Sequence, residues 1–305
     1  MFHEGERAVQ RRAGVERVAA DVGRHNISSW IPPEFAQFLS RQSFVVMAGA
    51  DSDDRVWASP LAGGVGFVRV LDHRRIVLAA EPPAGDPLEA PPREPDARIG
   101  VLAIEFATRL RIRLNGIAER TPEGIELTVE EVFGNCPKFI QRRLPAGQLE
   151  PAVTERHRVA DRLDAHQADL VSRADTFFIA TVHPERGADA SHRGGRPGFV
   201  EVSDDGRELV FPDYPGNRMF QTLGNVTADA RTGLLFLDWE TGTTVQLTGR
   251  AEIVWDENEV AGRPGAERLV RVAVDAVHEH ERAITVRWQL IEPSRLNPPT
   301  KSERA

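Results

Sequence analysis

The sequence predicts a mainly β protein with a few helices, built as two similar small antiparallel barrels in tandem. Two observations support this prediction. Three segments of the first half recur in the same order in the second half, 132 to 133 positions later. Most of the chain also consists of short β-branched and aromatic runs separated by Asp and Gly clusters, without the strand–helix alternation of a parallel sheet. We therefore expect the functional unit to be the pair of repeats.

The repeat is visible in three pairs of segments. They are LSRQSFVVMA (39–48) with VSRADTFFIAT (171–181), WASPLAGGVGFVRVLDHRRIVL (57–78) with DASHRGGRPGFVEVSDDGRELVF (189–211), and LRIRLNGIAE (110–119) with TVQLTGRAE (244–252). Three matches in one order are hard to obtain by chance. They predict two domains, residues 1–150 and residues 151–305, related by a pseudo-twofold axis.

Composition excludes several classes of protein. The formal net charge of −8 over 305 residues argues against binding to a phosphate backbone, which needs an excess of Lys and Arg. The single cysteine, Cys136, excludes an intrachain disulfide framework and suits a reducing compartment. The longest apolar run, 44–50, is too short to cross a membrane, and the N-terminus lacks a signal-peptide pattern. We expect a cytoplasmic protein with neither a nucleic-acid nor a membrane partner.

Several helices and one long loop can be expected from local patterns. Apolar residues at helical spacing predict an N-terminal helix within 4–22 and a brief helix at 34–40. A longer helix is expected within 153–172 and a short one at 219–223. The stretch 81–96 contains six prolines, so it is expected to form a loop.

A basic, glycine-rich pattern in the second half predicts an anion site. Arg193 and Arg196 flank a Gly-Gly pair at 194–195, where the missing Cβ atoms allow close approach of a ligand. Arg218 follows the Pro-Gly-Asn turn at 215–217 and precedes the predicted short helix, whose free N–H groups can bind anions. Guanidinium groups and backbone N–H groups together suit a phosphate dianion.

These motifs resemble the pyridoxamine 5'-phosphate oxidase-like flavoproteins, whose fold is the FMN-binding split barrel. The duplicated arrangement resembles a bacterial branch of this superfamily known only as predicted flavin-nucleotide-binding proteins. The similarity extends from Phe2 to about Arg295. The sequence segments that show this similarity are FHEGERAVQRRAG, VWASPLAGGVGFV, GNCPKFIQRR, DTFFIATVHP, ASHRGGRPGFV and FPDYPGNRMFQTLGN.

The resemblance implies a cofactor, FMN or alternatively FAD, at the junction of the two repeats. Split barrels of this family dimerise and bind flavin at the subunit interface, so a duplicated chain can supply both walls and hold one cofactor. The cofactor-binding residues expected on this basis are Trp57, Ser59, Ser191, His192, Arg193, Arg196, Pro212, Asp213, Asn217, Arg218, Met219 and Gln246.

The first repeat departs from this pattern, so we expect its own site to be degenerate. It has AEPPAGDPLEAPPR (80–93) where the second repeat has PDYPGNRMFQTLGN (212–225), and Leu61 aligns with Arg193. It therefore lacks the Asn-Arg pair, and prolines interrupt the expected helix.

The segment GNCPKFIQRR, 134–143, has no counterpart in the second repeat. We expect it to form a loop and a helix over the cleft between the repeats. Cys136 and Lys138 are the candidate catalytic residues, because a thiol beside a positive charge is activated. The alternative is a buried cysteine, with Lys138 and its basic neighbours on a solvated helix face.

The functional prediction is a flavin-dependent oxidoreductase acting on a small organic substrate. The alternatives are a flavin-binding, storage or electron-carrier module with a redox partner, and a split barrel that binds deazaflavin or haem. His278 and His280 lack the spacing of a zinc-protease helix and are expected in a turn or an exposed strand, so no metal site is predicted. The chain is expected to be a monomeric pseudo-dimer or a homodimer.

Overall fold

The computed structural model describes residues 2–89, 97–148 and 156–300, in which strands predominate. The first repeat forms an eight-stranded antiparallel sheet. Its strands are β1 (Ile27–Ser28), β2 (Phe44–Ala50), β3 (Val56–Ala62), β4 (Val68–Val70), β5 (Arg75–Leu78), β6 (Ala97–Glu105), β7 (Leu110–Thr121) and β8 (Gly124–Gly134). The next strand, β9 (Arg142–Gln148), leaves this sheet.

The second repeat forms an eight-stranded antiparallel sheet of its own. Its strands are β10 (His157–Ala160), β11 (Thr176–His183), β12 (Gly187–Gly194), β13 (Glu201–Val202), β14 (Glu208–Asp213), β15 (Arg231–Leu237), β16 (Thr244–Val254) and β17 (Arg268–His280). The last strand, β18 (Val286–Glu292), pairs with β9, so the C-terminal strands of the two repeats form a small sheet together.

The two large sheets have the same topology. The strand order is β3-β2-β6-β7-β8-β5-β4 in the first and β12-β11-β15-β16-β17-β14-β13 in the second, with β1 paired to β8 and β10 to β17. Even the irregularities correspond, since β7 bulges at Asn115/Gly116 and β16 at Thr248/Gly249. The predicted tandem pair of split barrels is confirmed. The predicted boundary at 150 and 151 lies outside the described residues and stays a prediction.

Six helices accompany the strands in the described part of the chain, and several differ from the sequence prediction. They are α1 (Glu4–Arg12), α2 (Glu16–Asn26), α3 (Pro33–Leu39), α4 (Ala165–Arg173), α5 (Gln221–Ala228) and α6 (Glu257–Ala261). The predicted N-terminal helix is two helices, because Gly14 has a left-handed φ of 68°. The helix expected within 153–172 is shorter, since β10 occupies 157–160. The prediction of a helix within 134–143 was wrong, because an irregular segment leads directly into β9.

The strands β2 and β11 are buried on both faces because each packs on two cores. In β2, Val45 and Met47 face the core of the first repeat, whereas Val46 and Ala48 join an apolar cluster shared by both repeats. The equivalent strand β11 alternates in the same way, with Phe177 in the core of its own repeat and Phe178 in the shared cluster. This double burial explains why both strands read as almost continuous apolar runs.

Two equivalent glycines allow the repeats to approach each other closely. A Cβ atom on Gly100 of β6 would lie 2.7 Å from the Ala188 carbonyl oxygen of β12. A Cβ atom on Gly233 of β15 would lie 2.6 Å from the Cα atom of Trp57 on β3. Gly100 and Gly233 are separated by the repeat offset, so the same backbone contact occurs on both sides of the pseudo-twofold axis.

The N-terminal helix α1 packs against α5 of the second repeat. A Cβ atom on Gly5 would lie 2.3 Å from the Gly224 carbonyl oxygen, so the two helices touch backbone to backbone. Gln10 adds a hydrogen bond of 2.8 Å from its Nε2 to the Met219 carbonyl oxygen. The start of the chain therefore supports the helix that follows the 214–220 segment of the second repeat.

We expect Gly100→Ala to destabilise the protein, because the added methyl group meets the backbone of the other repeat. The cost should be about 1–3 kcal/mol, as for overpacking elsewhere. Urea unfolding of this variant and of Gly233→Ala measures the effect. Gly64→Ala is the matched control, since a Cβ atom at Gly64 meets no atom within 4 Å. Equal stability of the Gly100 and Gly64 variants would contradict the close contact.

Candidate functional site

A cavity rich in arginine lies between the two repeats. The first repeat contributes β7 and the segment after β8, and the second contributes β12, β14 and the residues up to the first turn of α5. The residues that surround it are Arg111, Arg113, Asn135, Cys136, Lys138, Phe139, His192, Arg193, Gly194, Phe199, Pro212, Asp213, Tyr214, Gly216, Asn217, Arg218, Phe220, Gln221, Thr222 and Leu223. We call this space the arginine cavity.

Two arginines of β7 extend across the repeat interface into the arginine cavity. Arg111 and Arg113 are two residues apart and therefore lie on the same face of the strand. Arg113 forms a buried ion pair with Asp189, 2.9 Å from Nη1 to Oδ2, and also donates a hydrogen bond to Ser191 Oγ. Arg111 donates only to neutral groups, including the carbonyl oxygens of Cys136 at 3.0 Å and of His192 at 3.3 Å.

The cavity contains two partly buried positive charges that are not paired with a carboxylate in the described part of the chain. Among the described residues, neither Arg111 nor Arg193 forms an ion pair with a carboxylate. Arg193 donates instead to Ser191 Oγ at 2.9 Å and to the His192 carbonyl oxygen at 3.2 Å. Burial lowers the pKa of both guanidinium groups, and for Arg111 the neighbouring Arg113 lowers the pKa further. An uncompensated buried charge is costly, so an anion bound here would be stabilised.

His192 provides a neutral donor beside these arginines. Burial, followed by the charges of Arg111 and Arg193, holds the pKa of His192 well below its ordinary value. Its Nδ1 lies 3.3 Å from Nη1 of Arg111 and must accept from that guanidinium, so the proton resides on Nε2. His192 Nε2 has no partner among the described residues, and neither do Nε of Arg111 and Nε of Arg193. These unsatisfied donors fit an oxygen-rich ligand.

The segment before α5 is held in an unusual backbone conformation. Arg218 and Phe220 have φ angles of 67° and 63°, in the left-handed region that side chains rarely adopt. Arg218 is fixed by a two-pronged ion pair with Glu267, at 2.7 and 2.9 Å from its Nη1. Asn217 Oδ1 accepts from the Met219 N–H at 3.0 Å. The first turn of α5, which follows, lines the cavity with N–H groups that have no partner within the helix.

The segment 134–143 borders the arginine cavity without forming a helix. Cys136 is half-buried, and its carbonyl oxygen accepts from Arg111. Lys138 Nζ donates to the Pro215 carbonyl oxygen at 3.3 Å, which joins the segment to the second repeat. Gln141, fully buried, fixes its end by donating to the carbonyl oxygens of Asp175 at 3.1 Å and Gly195 at 3.2 Å.

Most of the second-repeat residues named from the sequence come together at this cavity. His192, Arg193, Pro212, Asp213, Asn217 and Arg218 line it, as do the catalytic candidates Cys136 and Lys138. Ser191 lies directly behind, bonded to Arg113 and Arg193. Arg196 is in the exposed turn after β12, and the Met219 side chain is buried outside the lining.

The structure places Trp57, Ser59 and Gln246 in a different buried cluster, across the pseudo-twofold axis. Gln246 Nε2 donates to Ser59 Oγ at 3.1 Å and to Asp86 Oδ2 at 2.9 Å, and Ser59 Oγ donates to Asp86 Oδ1 at 2.6 Å. Trp57 donates from Nε1 to Asp51 at 2.9 Å and packs against the His278 ring. Asp86 belongs to the proline-rich loop of the first repeat, and burial raises its pKa to about 6.

Comparison of the two clusters shows how the sequence could have identified Arg113, which the prediction missed. Arg113 and Ser191 occupy the positions that Gln246 and Ser59 occupy in the related cluster, at the repeat offset. The alignment of segment 110–119 with segment 244–252 could have identified Arg113, because it places Arg113 opposite Gln246, a residue that was predicted. A ligand that binds across the repeats in contact with β12 meets β7 of the first repeat, not β16 of the second.

A second cavity of about 380 Å³ adjoins the arginine cavity. The Arg113–Asp189 ion pair separates them, since Arg113 lines one and Asp189 the other, while Gln221 lines both. Its walls are Phe2, His3, Glu6, Ile27, Arg74, Arg98, Asn115, Glu130, Glu131, Arg186, Gly187, Ala188, Asp189, Gln221 and Asn225. It therefore includes the N-terminal segment as well as both repeats.

The described residues contain neither a cluster of potential metal ligands nor a helix suited to crossing a membrane. In 2–89, 97–148 and 156–300, no group of three or more His, Cys, Asp or Glu side chains is arranged to hold a metal ion. His278 and His280 lie on β17 in contact with His157. No helix in the same ranges is long and apolar enough to cross a membrane.

Fold and site together define a tandem split-barrel protein with an arginine-rich cavity between its repeats. Residues 163–296 match the family model described as pyridoxamine 5'-phosphate oxidase. This match lies within the second repeat, and it confirms the resemblance found in the sequence. No curated protein matches the chain.

Solved structures similar to this chain each correspond to less than half of it. HupZ of Group A Streptococcus is 16% identical, with a TM-score of 0.31, over 37% of this chain and 90% of its own. An FAD-binding protein of Mesorhizobium loti is 15% identical, with a TM-score of 0.28, over 41% of this chain and 97% of its own. An FAD-binding protein of Mycobacterium smegmatis is 18% identical, with a TM-score of 0.27, over 41% and 98%. These values are too low to support a functional argument.

The pH dependence of stability should reveal the state of Glu6, which lines the second cavity. Burial, with smaller contributions from Glu131 and Asp189, raises the pKa of Glu6 to about 8. A raised folded-state pKa gives stability that is complete below the unfolded-state value and is lost as the pH rises towards 8. We expect Glu6→Gln, which stays neutral, to gain stability relative to the wild type between pH 5 and about pH 8.5. Urea unfolding at both pH values measures this, and a pH-independent difference would contradict it.

Proposed function

We propose that the protein binds one flavin nucleotide, FMN or alternatively FAD, between its repeats, with the phosphate in the arginine cavity. The observation that carries the proposal is the pair of partly buried arginines, Arg111 and Arg193, which have no carboxylate partner among the described residues. The match of residues 163–296 to the pyridoxamine 5'-phosphate oxidase family model supports the choice of ligand. Guanidinium forks bind phosphate oxygens with paired, charge-assisted hydrogen bonds.

The residues present fit such a group. Arg111 and Arg193 would neutralise the phosphate charge, His192 would donate from Nε2, and the first turn of α5 would add backbone N–H groups. Arg218 is oriented by Glu267 and lines the same cavity. It would be the fourth side chain that donates hydrogen bonds to the phosphate. The strained backbone before α5 is consistent with a loop preorganised for a ligand.

We propose further that the protein is an oxidoreductase for a small organic substrate. A bound flavin would supply the redox chemistry, and the chain would supply binding, orientation and exclusion of water. The family model that residues 163–296 match is described as an oxidase, which supports this proposal over a storage or carrier role. Cys136 and Lys138, at the edge of the arginine cavity, are the candidates for contact with substrate.

Removal of a cavity arginine should weaken FMN binding. Hydrogen bonds to charged groups contribute about 1.5–3 kcal/mol each, so Arg193→Ala and Arg218→Ala should each raise the Kd for FMN about tenfold or more. Flavin fluorescence titration measures this. Arg69→Ala is the control, because Arg69 is exposed and pairs only with Glu123 on the surface of the first repeat. Equal losses in all three variants would rule out the proposed phosphate site.

Flavin should also protect the single cysteine. Cys136 lines the arginine cavity and is the only thiol of the chain, so its modification reports on one site. We expect saturating FMN to slow the reaction of Cys136 with a thiol reagent. If Cys136 reacts equally fast with and without FMN under conditions where binding is demonstrated, the ligand does not cover this side of the cavity. Cys136→Ala with intact binding and lost turnover would identify a catalytic role.

A further inference from the structure

The second cavity holds a buried carboxyl group, Glu6, of which the fold uses only one oxygen, as part of the capping box at the start of α1. Glu6 is only 6% exposed, and Gly224 of α5 packs directly against it, with a hypothetical Cβ atom 2.4 Å from Glu6 Cγ. Glu6 Oε2 accepts from the His3 N–H at 2.7 Å. Glu6 Oε1 has no hydrogen-bond partner in the described part of the chain. One oxygen of this carboxyl group is therefore available to a ligand.

The charged groups around Glu6 do not neutralise it. Two arginines that line this cavity are paired with carboxylates, Arg186 with Glu131 at 3.0 Å and Arg98 with Glu130. Arg74 is exposed, and Asp189 is paired with Arg113. His3 lies 3.5 Å away, but burial lowers the pKa of His3 to about 4, so its ring is neutral at pH 7. Glu131 and Asp189 disfavour a second negative charge, and burial raises the pKa of Glu6 to about 8. Glu6 is therefore protonated at neutral pH.

A protonated carboxyl group offers a donor and an acceptor side by side. Because Oε2 accepts from His3, the proton resides on Oε1, and Oε2 keeps a second lone pair. The complementary ligand group is a carbonyl next to an N–H, as in an amide or imide. The carboxylates Glu130, Glu131 and Asp189 also line this cavity, and Arg98 and Arg186 are already paired with the first two, which disfavours an anionic group. The volume of about 380 Å³ is within the usual range for a small organic ligand.

We propose that Glu6 binds an uncharged imide edge in the second cavity, and that this edge is the pyrimidine side of the flavin ring. The second part of this inference rests on the function proposed above. The arrangement of the two cavities supports it, because they share Gln221 and are separated only by the Arg113–Asp189 pair. One cavity suits an anion and its neighbour a neutral imide, and a flavin nucleotide carries both groups.

The test compares riboflavin, which lacks the phosphate, with its N3-methyl derivative on the wild-type protein. Methylation removes the imide N–H, so the Kd should rise about fivefold or more if Glu6 accepts from it. The same comparison with FMN should give the same ratio. This measurement needs no protein variant, so it remains decisive even if a substitution at Glu6 prevents folding. Equal binding of the methylated and unmethylated flavins would overturn the inference.

Variants of Glu6 give a second, independent readout. Gln presents a donor and an acceptor side by side at every pH, so Glu6→Gln should bind riboflavin within about twofold of the wild type, whereas Glu6→Ala should lose about fivefold or more. Wild-type affinity should fall above about pH 8 as the carboxyl group ionises, and that of Glu6→Gln should not. Glu4→Ala is the matched control, because Glu4 lies on the exposed side of α1. A pH profile unchanged by Glu6→Gln would overturn the inference.

Failure of this inference can be distinguished from failure of the phosphate site. If FMN binding depends on Arg193 but not on Glu6 or N3, the flavin proposal stands and the imide contact is wrong. If riboflavin binding depends on Glu6 and N3 while Arg193→Ala leaves FMN affinity unchanged, the imide contact stands and the phosphate site is wrong. If the protein binds neither riboflavin nor FMN, both are wrong.

Discussion

The close contact between the two repeats is the constraint on which the rest of the structure depends. Each repeat leaves one face of its second strand apolar, and that face is buried only when the partner repeat covers it. Gly100 and Gly233 allow the sheets to meet backbone to backbone on both sides of the pseudo-twofold axis. The arginine cavity forms at this junction, so neither repeat could build it alone.

The duplicated interface has diverged in charge rather than in shape. On one side, Arg113 contacts Ser191. Arg111 and Arg193 lie beside this pair and form no ion pair with a carboxylate among the described residues. On the other side, Gln246 contacts Ser59, and Asp86 from the proline-rich loop fills the adjacent position. One side therefore already contains a carboxyl group of the chain, whereas the other keeps two arginines without a carboxylate partner among the described residues. Under the proposed function, this asymmetry leaves one of the two equivalent positions for the phosphate.

The fold could be predicted from the sequence because the two repeats can be compared with each other, segment by segment. Matched segments in one order required matching strand orders, and the two sheets have them. Local patterns were less reliable where tertiary contacts override them. The segment 134–143 was expected to contain a helix, but Gln141 binds backbone carbonyl groups of the second repeat and the chain continues as β9. No local pattern encodes that partner.

The candidate site was predictable only where its residues lie close together in sequence. His192, Arg193 and Arg218 lie on the second-repeat side and were identified, whereas Arg111 and Arg113 reach the cavity from the first repeat. Glu6 is more remote still, because α1 meets the cavity only through its packing on α5. Arg111, Arg113 and Glu6 can be recognised as cavity residues only when the packing of the two repeats is known.

The packing of α1 on α5 also links the two cavities mechanically. Helix α5 lines the arginine cavity with its first turn, and its residues Gln221 and Asn225 line the second cavity. Gly5 of α1 packs against this helix, and Gln10 of α1 donates to the Met219 carbonyl oxygen just before it. A displacement of α5 would therefore disturb both the N–H groups at one cavity and the packing of α1, which carries Glu6, at the other. Because a rigid helix connects them, ligand groups in the two cavities should stabilise the same arrangement of the N-terminal segment.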